Sequence, residues 1–355
     1  MLKTIIFIVS LTTLSSCKGI HPPEENVSTR PTIGTKIESL GKRVARVFQD
    51  SKNNYWFAHE GIVKYDGKNL IQFTMEDGLY ANRVRDIQED HLGNIYFDTG
   101  EGINKYDGTS IEKLTPITNS EKAKDLHPTD LWFAGNWNMN GVYRYDGKDL
   151  YRLKMPKHEL DEEANQASPN SSFSFYTNYS TFKDHLGNAW MGGAVFGACR
   201  FDGSNFFWIS EREMTEIDPG PAMGVRSIVQ DKDGCFYFAS NINSKYRVVE
   251  LDGVTTYEKL PGIDTSLEPE AYSACISMEI DNKGNFWMTQ YEGGVWKYDG
   301  KSFSHYPVLI NKEEAQVFSI YKDRNGVLWV GTHNAGVWKF NGKGFERFTP
   351  KIAKE

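Results

Sequence analysis

One short signal recurs seven times along the 355 residues: an aromatic residue or leucine followed by Asp-Gly or Asn-Gly. The pairs are Asp66-Gly67, Asp107-Gly108, Asp146-Gly147, Asp202-Gly203, Asp252-Gly253, Asp299-Gly300 and Asn341-Gly342, preceded by Tyr65, Tyr106, Tyr145, Phe201, Leu251, Tyr298 and Phe340. Such pairs close two-residue hairpins, because glycine and its acidic or amide neighbour tolerate positive φ. Five residues before the pair stands Gly61, Gly102, Gly141, Gly197, Gly294 or Gly336, with Arg247 the exception in the fifth copy. Further upstream each copy carries one aromatic: Trp56, Tyr96, Trp132, Trp190, Tyr237, Trp287 or Trp329. The interval between copies is roughly forty to fifty-five residues, the period of a small antiparallel sheet repeated around an axis.

The last copy shows the unit most plainly. Val317, Ser319 and Tyr321 alternate with Phe318, Ile320 and Lys322, the period of two that a strand requires. Asp323 to Gly326 is a turn, Val327 to Val330 a second strand, and Thr332 to Ala335 a variable loop. Val337 to Phe340, the Asn341-Gly342 turn and Phe345 to Phe348 complete four strands. One such sheet cannot bury both faces alone, so the copies must pack on each other. We therefore expect an all-β chain with a seven-bladed β-propeller of four-stranded antiparallel blades over residues 44–348 and a short tail over 349–355. The ring closes either with blades in phase or with a strand lent from Lys36 to Leu40, and an open solenoid is the alternative architecture.

Residues 1–17 read as a targeting segment. Lys3 supplies the positive end and Ile5 to Leu11 the apolar stretch. Leu14-Ser15-Ser16-Cys17 resembles a bacterial lipobox, which implies lipidation of Cys17 and attachment of the mature chain to a membrane; an ordinary cleaved signal peptide is the alternative. A single lipid would be the anchor, since no second apolar run is long enough to span a bilayer. Residues 18–43, with Pro22, Pro23 and Pro31, read as a flexible tether, although Lys36 to Leu40 could instead add a strand.

The junction into the second copy resembles a known family. Asp77-Gly78-Leu79, Asn82, Val84, Ile87, Asp90, Gly93-Asn94 and Gly102-Ile103 are similar to the repeat of two-component regulator propellers. The resemblance implies a periplasmic or exported sensor module, as found in hybrid histidine kinases of Bacteroidetes and in stand-alone exported proteins. Kinase and DNA-binding motifs are not visible up to Glu355, so signal output is not expected of this chain by itself.

Two copies depart from the pattern. In the third, the first strand falls in Asn119 to Leu126, which is polar and lysine-rich, so a short or irregular strand is expected. Between the third and fourth, Lys154 to Asn178 is a long insertion with Glu159, Asp161, Glu162 and Glu163. An insertion of that length is a solvated loop, a lid or a partner contact.

In a four-stranded blade, the loop between the second and third strands and the link to the next blade emerge on one face. Sequence variation is concentrated there, which is where loops carry function. The candidate ligand-binding residues on that face are His59, Glu60, Glu101, Trp137, Tyr291, Glu292, His333 and Asn334. Ring closure would bring His333 and Asn334 beside His59 and Glu60, flanked by Tyr291, Glu292 and Glu101. Aromatic, amide and carboxylate groups together suit a glycan, a peptide or an envelope protein as partner. The leading expectation is thus a lipid-anchored, non-catalytic, sensor-like module of the cell envelope. The alternative is a polysaccharide lyase-type enzyme using histidine and tyrosine as acid and base.

Other chemistries find little support. Paired metal-ligand spacing, phosphate-binding glycine loops and nucleophile elbows are not seen, so no cofactor and no metal are expected. A formal net charge of −7 would repel phosphate, which argues against nucleic acid. After Cys17 the cysteines are Cys199, Cys235 and Cys275, too few for a disulfide framework. Aromatic packing, at 14% of residues, is the expected source of stability.

Overall fold

The computed structural model describes residues 33–209, 211–215, 224–240, 242–266, 268–272 and 274–352. The targeting segment, Cys17 and most of the tether lie outside the described residues.

Each repeat folds as its turn residues require. In the seventh, Val317–Lys322, Leu328–Thr332, Val337–Phe340 and Phe345–Arg347 pair antiparallel in chain order. The turn aspartate does more than close the turn. Asp323 accepts the backbone N–H groups of Asn325 and Val327 and, at 2.8 Å, the indole N–H of Trp329 on the second strand. Asp50 holds Trp56 at 2.8 Å, Asp184 holds Trp190 at 3.0 Å, and Asp281 holds Trp287 at 2.9 Å. Asp90 accepts the Tyr96 hydroxyl at 2.9 Å. The clamped ring lies between its own sheet and the next: Trp56 packs on Phe97 and Tyr106, and Trp329 on Tyr55 and Phe57. The core is accordingly a series of apolar layers between successive blades.

Among the described residues, seven of the sheets are blades of the expected seven-bladed propeller, and an eighth, two-stranded one, Leu309–Ile310 with Glu313–Glu314, lies in the link into blade seven. Blades two, four, five, six and seven have four strands. Blade one has a fifth, because Thr35–Ile37 pairs with its outer strand Leu70–Phe73. The tether therefore does not run to residue 43, and the added strand lies on the outer edge of blade one while blade seven is built wholly from its own four strands. Blades seven and one meet in phase, joined by Val44 N–H to Thr332 O at 2.8 Å and by Gly336 N–H to Lys42 O at 2.6 Å. From the tail, Lys351 O accepts the Tyr65 hydroxyl of blade one at 3.1 Å.

Blade three has three strands, Leu131–Phe133, Val142–Tyr145 and Leu150–Leu153. Its expected inner strand is replaced by a short 3-10 helix, Glu121–Lys124, as the polar, lysine-rich sequence foreshadows. The clamp changes with it. Arg144 takes Asp130 at 2.6 Å, and the buried Trp132 indole N–H has no partner.

The insertion at 154–178 is not a solvated loop. Met155, His158, Ala164 and Tyr176 are buried in the core of blades three and four, with a helix at Asp161–Ala167. Cys199, Cys235 and Cys275 are buried and unpaired. Among the described residues no helix is long and apolar enough to cross a membrane.

Candidate functional site

The inner strands set the site through a register counted back from the turn aspartate. Four residues before it stand Ser180, Ser227, Ser277 and Ser319 in blades four to seven, and Arg46 and Asp86 in blades one and two. The serines tie neighbouring inner strands together. Ser319 donates to Ala45 O at 2.8 Å, Ser277 accepts from Ile320 N–H at 3.2 Å, and Ser227 accepts from Met278 N–H at 3.3 Å. One residue earlier stand Ala45, Arg85, Tyr179, Arg226, Ile276 and Phe318. In blades four, six and seven this position is a β-bulge, so the residue falls outside the strand-to-strand register, and its side chain lines the channel mouth.

These six residues, with Arg46, line a cavity of about 460 Å³ at the mouth of the central channel. Arg43 and Arg83, two residues further out, add to the wall, and the loops contribute His59, Glu60, Trp137 and His333. A second cavity of about 240 Å³ lies deeper. It shares Arg46, Arg85, Tyr179 and Arg226 with the first and reaches the carboxylates of Asp86 and Asp98.

Four of the eight candidate residues thus line one cavity: His59, Glu60, Trp137 and His333. Tyr291 stands one step behind, its hydroxyl 3.3 Å from His333 Nδ1. Glu101, Glu292 and Asn334 are outside the lining. Asn334 instead accepts the Gln316 backbone N–H at 2.9 Å, Glu292 accepts the Gln316 amide at 3.4 Å, and Glu101 accepts the Asn136 amide at 3.4 Å. The His59 ring is oriented by its Nδ1, 2.9 Å from Arg43 O.

The electrostatics of the mouth run opposite to those of the chain. Among the described residues, five arginines and one glutamate line the upper cavity, although the whole chain is acidic. Several guanidinium groups rest on rings: Arg85 on Trp137 at 4.5 Å, Arg226 on Tyr179 at 4.3 Å, and Arg46 on Phe318 at 5.1 Å. Arg85 also donates to Gly135 O and, at 2.8 Å, to Asn178 O, spanning the gap left by the missing inner strand of blade three. Burial pulls the pKa of Arg46 and Arg85 below the usual arginine value and pushes Asp86 above the usual carboxylate range. His333, stacked on Phe318 at 4.3 Å, is held below the ordinary histidine value by burial and by the charges of Arg43, Arg83 and Arg46. The imidazole is therefore neutral at neutral pH.

The arginines, Tyr179 and Phe318 escaped a reading that placed function in the loops, because they sit at the head of inner strands. A signal was present in Arg43-Val44-Ala45-Arg46, Arg83-Val84-Arg85 and Val225-Arg226, where arginine flanks the valine that opens the strand.

The two component regulator propeller repeat matches residues 313–334, which cover the end of the link into blade seven and its first two strands. The extracellular domain of the one component system BT4673 from B. thetaiotaomicron superposes with a TM-score of 0.56 at 16% identity, over 89% of this chain and 40% of that one. Virginiamycin B lyase from Staphylococcus aureus superposes with a TM-score of 0.59 at 14% identity, over 86% of this chain and 97% of that one. Identities this low show a shared fold alone, and this chain spans less than half of the BT4673 domain. No curated protein matches the chain.

Proposed function

Starting from a seven-bladed propeller that carries the two component regulator propeller repeat, we propose that this chain is a non-catalytic ligand-binding module of the cell envelope, anchored by lipid at Cys17. The observation that carries this reading is the cavity of about 460 Å³ on the variable-loop face, where loop residues of blades one, three and seven converge on the channel mouth. Its size suits a small molecule or a short glycan or peptide segment. The likeness to the extracellular domain of a regulatory system supports a sensor-like role outside the cytoplasm, and the lipobox-like Leu14 to Cys17 supports the anchor.

The test is an array of glycans and peptides probed with the full chain. Binding that survives in wild type and is lost in Trp137→Ala and His333→Ala is expected, with the ligand recovered intact. Binding unchanged in both variants would move the site elsewhere. For the anchor, Cys17→Ser should abolish incorporation of labelled palmitate and shift the protein to the soluble fraction.

One observation favours a second reading. Tyr291 and His333 form a tyrosine–histidine pair whose histidine lines the cavity beside arginines, an arrangement suited to proton abstraction with charge neutralisation. Time-dependent formation of an unsaturated, ultraviolet-absorbing product from an array hit would establish that chemistry and overturn the non-catalytic reading.

A further inference from the structure

Resting on the channel mouth as a ligand site, we infer that its ligand is a small polyanion carrying at least two carboxylate, sulfate or phosphate groups, gripped between Arg43, Arg46 and Arg83. Arg43 and Arg83 occupy the same register position in adjacent blades, seven residues before the turn aspartates Asp50 and Asp90. Both are exposed at the rim of the cavity, and Arg46 lies below them in its wall. The fields of all three reach His333 on the far side of the seam, so their charges converge on one space.

Like charges brought this close repel one another. Among the described residues, the one carboxylate in the upper wall is Glu60, and Arg46 meets opposing charge only from Asp86 in the deeper cavity. Cation–π contact with Phe318 offsets part of the cost of burying Arg46. An anion in the cavity would supply the missing countercharge, and guanidinium groups bind carboxylate, sulfate and phosphate in paired hydrogen bonds. The rings also argue for a charged ligand. Arg85 covers Trp137 and Arg226 covers Tyr179, so these faces are already stacked with guanidinium and are less available to a neutral sugar. The confined volume excludes a folded polymer and favours a compact ligand with its charges a few ångströms apart.

The experiment is calorimetric titration of the full chain with citrate, inorganic pyrophosphate and a sulfated uronate disaccharide, beside lactose as neutral control. Carboxylate, phosphate and sulfate sources are thereby separated. At least one anion is expected to bind below about 1 mM, and to weaken as salt rises. Arg43→Gln and Arg83→Gln, both at exposed positions that leave the core intact, should each weaken that binding about five- to tenfold. Glu60→Gln, which removes the opposing charge, should strengthen it by a few-fold, a gain that a merely structural role would not produce. Anion binding indifferent to all three substitutions would overturn the inference. So would a neutral array ligand whose binding is lost in Trp137→Ala but unchanged in Arg43→Gln and Arg83→Gln; the site would then stand without its anionic specificity. Failure of every anion and every array ligand would overturn the site reading together with the inference.

Discussion

Burial alone would raise the carboxyl of Asp281, yet the hydrogen bonds from the Trp287 indole, the Asn285 side chain and the backbone N–H groups of Asn285 and Lys283 outweigh it and hold the group below its ordinary value. Asp90 is depressed in the same way through Tyr96 and Asn94. A carboxyl whose pKa is lower folded than unfolded stabilises the protein above the unfolded value and ceases to do so as pH falls through the folded one. We predict that Asp281→Asn costs about 1–3 kcal/mol at neutral pH, because it weakens charge-assisted bonds to a buried ring. The same variant should flatten the acid limb of a stability–pH profile below the usual carboxylate range, measured by urea unfolding at several pH values. Turn aspartate and strand tryptophan were each legible in the sequence as repeated letters. The bond between them was not, since six residues of separation along the chain do not reveal that a turn folds back onto its own second strand. Blade three shows the limit of such reading: Trp132 keeps the register, but Leu126 stands where the clamp aspartate would be, and the nearby Asp130 is held by Arg144 instead.

The insertion at 154–178 was legible as an element out of pattern but not as an ordered one, because its charged helix Asp161–Ala167 reads as solvated while the anchors lie on either side of it. Tyr176 donates to Asp161 at 2.9 Å and accepts the His158 backbone N–H at 2.9 Å. His158 lies flat on Phe196 at 4.4 Å. The segment then reaches the site, where Ser174 N–H donates to Trp137 O at 3.1 Å and the Thr177 hydroxyl donates to the same carbonyl. It thus braces the loop between Leu131–Phe133 and Val142–Tyr145 of blade three, which carries Trp137 into the cavity wall. Phe196→Ala removes the ring on which the insertion rests and should cost about 3–5 kcal/mol, read as a lowered urea midpoint. Hydrogen exchange in residues 155–178 should rise in that variant, and binding at the channel mouth should weaken although Phe196 does not line the cavity. Unchanged exchange in the insertion would show that it is held by contacts other than these.

At the scale of the whole ring, the seam between blades seven and one is where architecture and site meet. Seven copies of one pattern made a closed ring legible, but the mode of closure was not, because strand exchange and in-phase packing leave the same periodicity. The observed closure relies on Ser319 to Ala45, the Tyr55 hydroxyl to Asp323 at 2.8 Å, and Trp329 packed against Tyr55, Phe57 and Phe348. The cavity is built across this seam, with Arg43, Arg46 and His59 on one side and Phe318 and His333 on the other. Trp190 provides an internal comparison. It is as buried as Trp329 and makes the same indole bond to its turn aspartate, but it packs between blades four and five on Phe236. Trp190→Ala and Trp329→Ala should therefore lose similar stability, about 3–5 kcal/mol each. Ligand affinity should separate them. Trp329→Ala loosens the seam that sets Arg43, Arg46 and His59 against Phe318 and His333, whereas Trp190→Ala acts at the junction of Tyr179 and Arg226, so the former should bind several-fold more weakly under conditions where both remain folded. Equal affinities would mean that the backbone bonds from Val44 to Thr332 and from Gly336 to Lys42 hold the seam in register without the tryptophan.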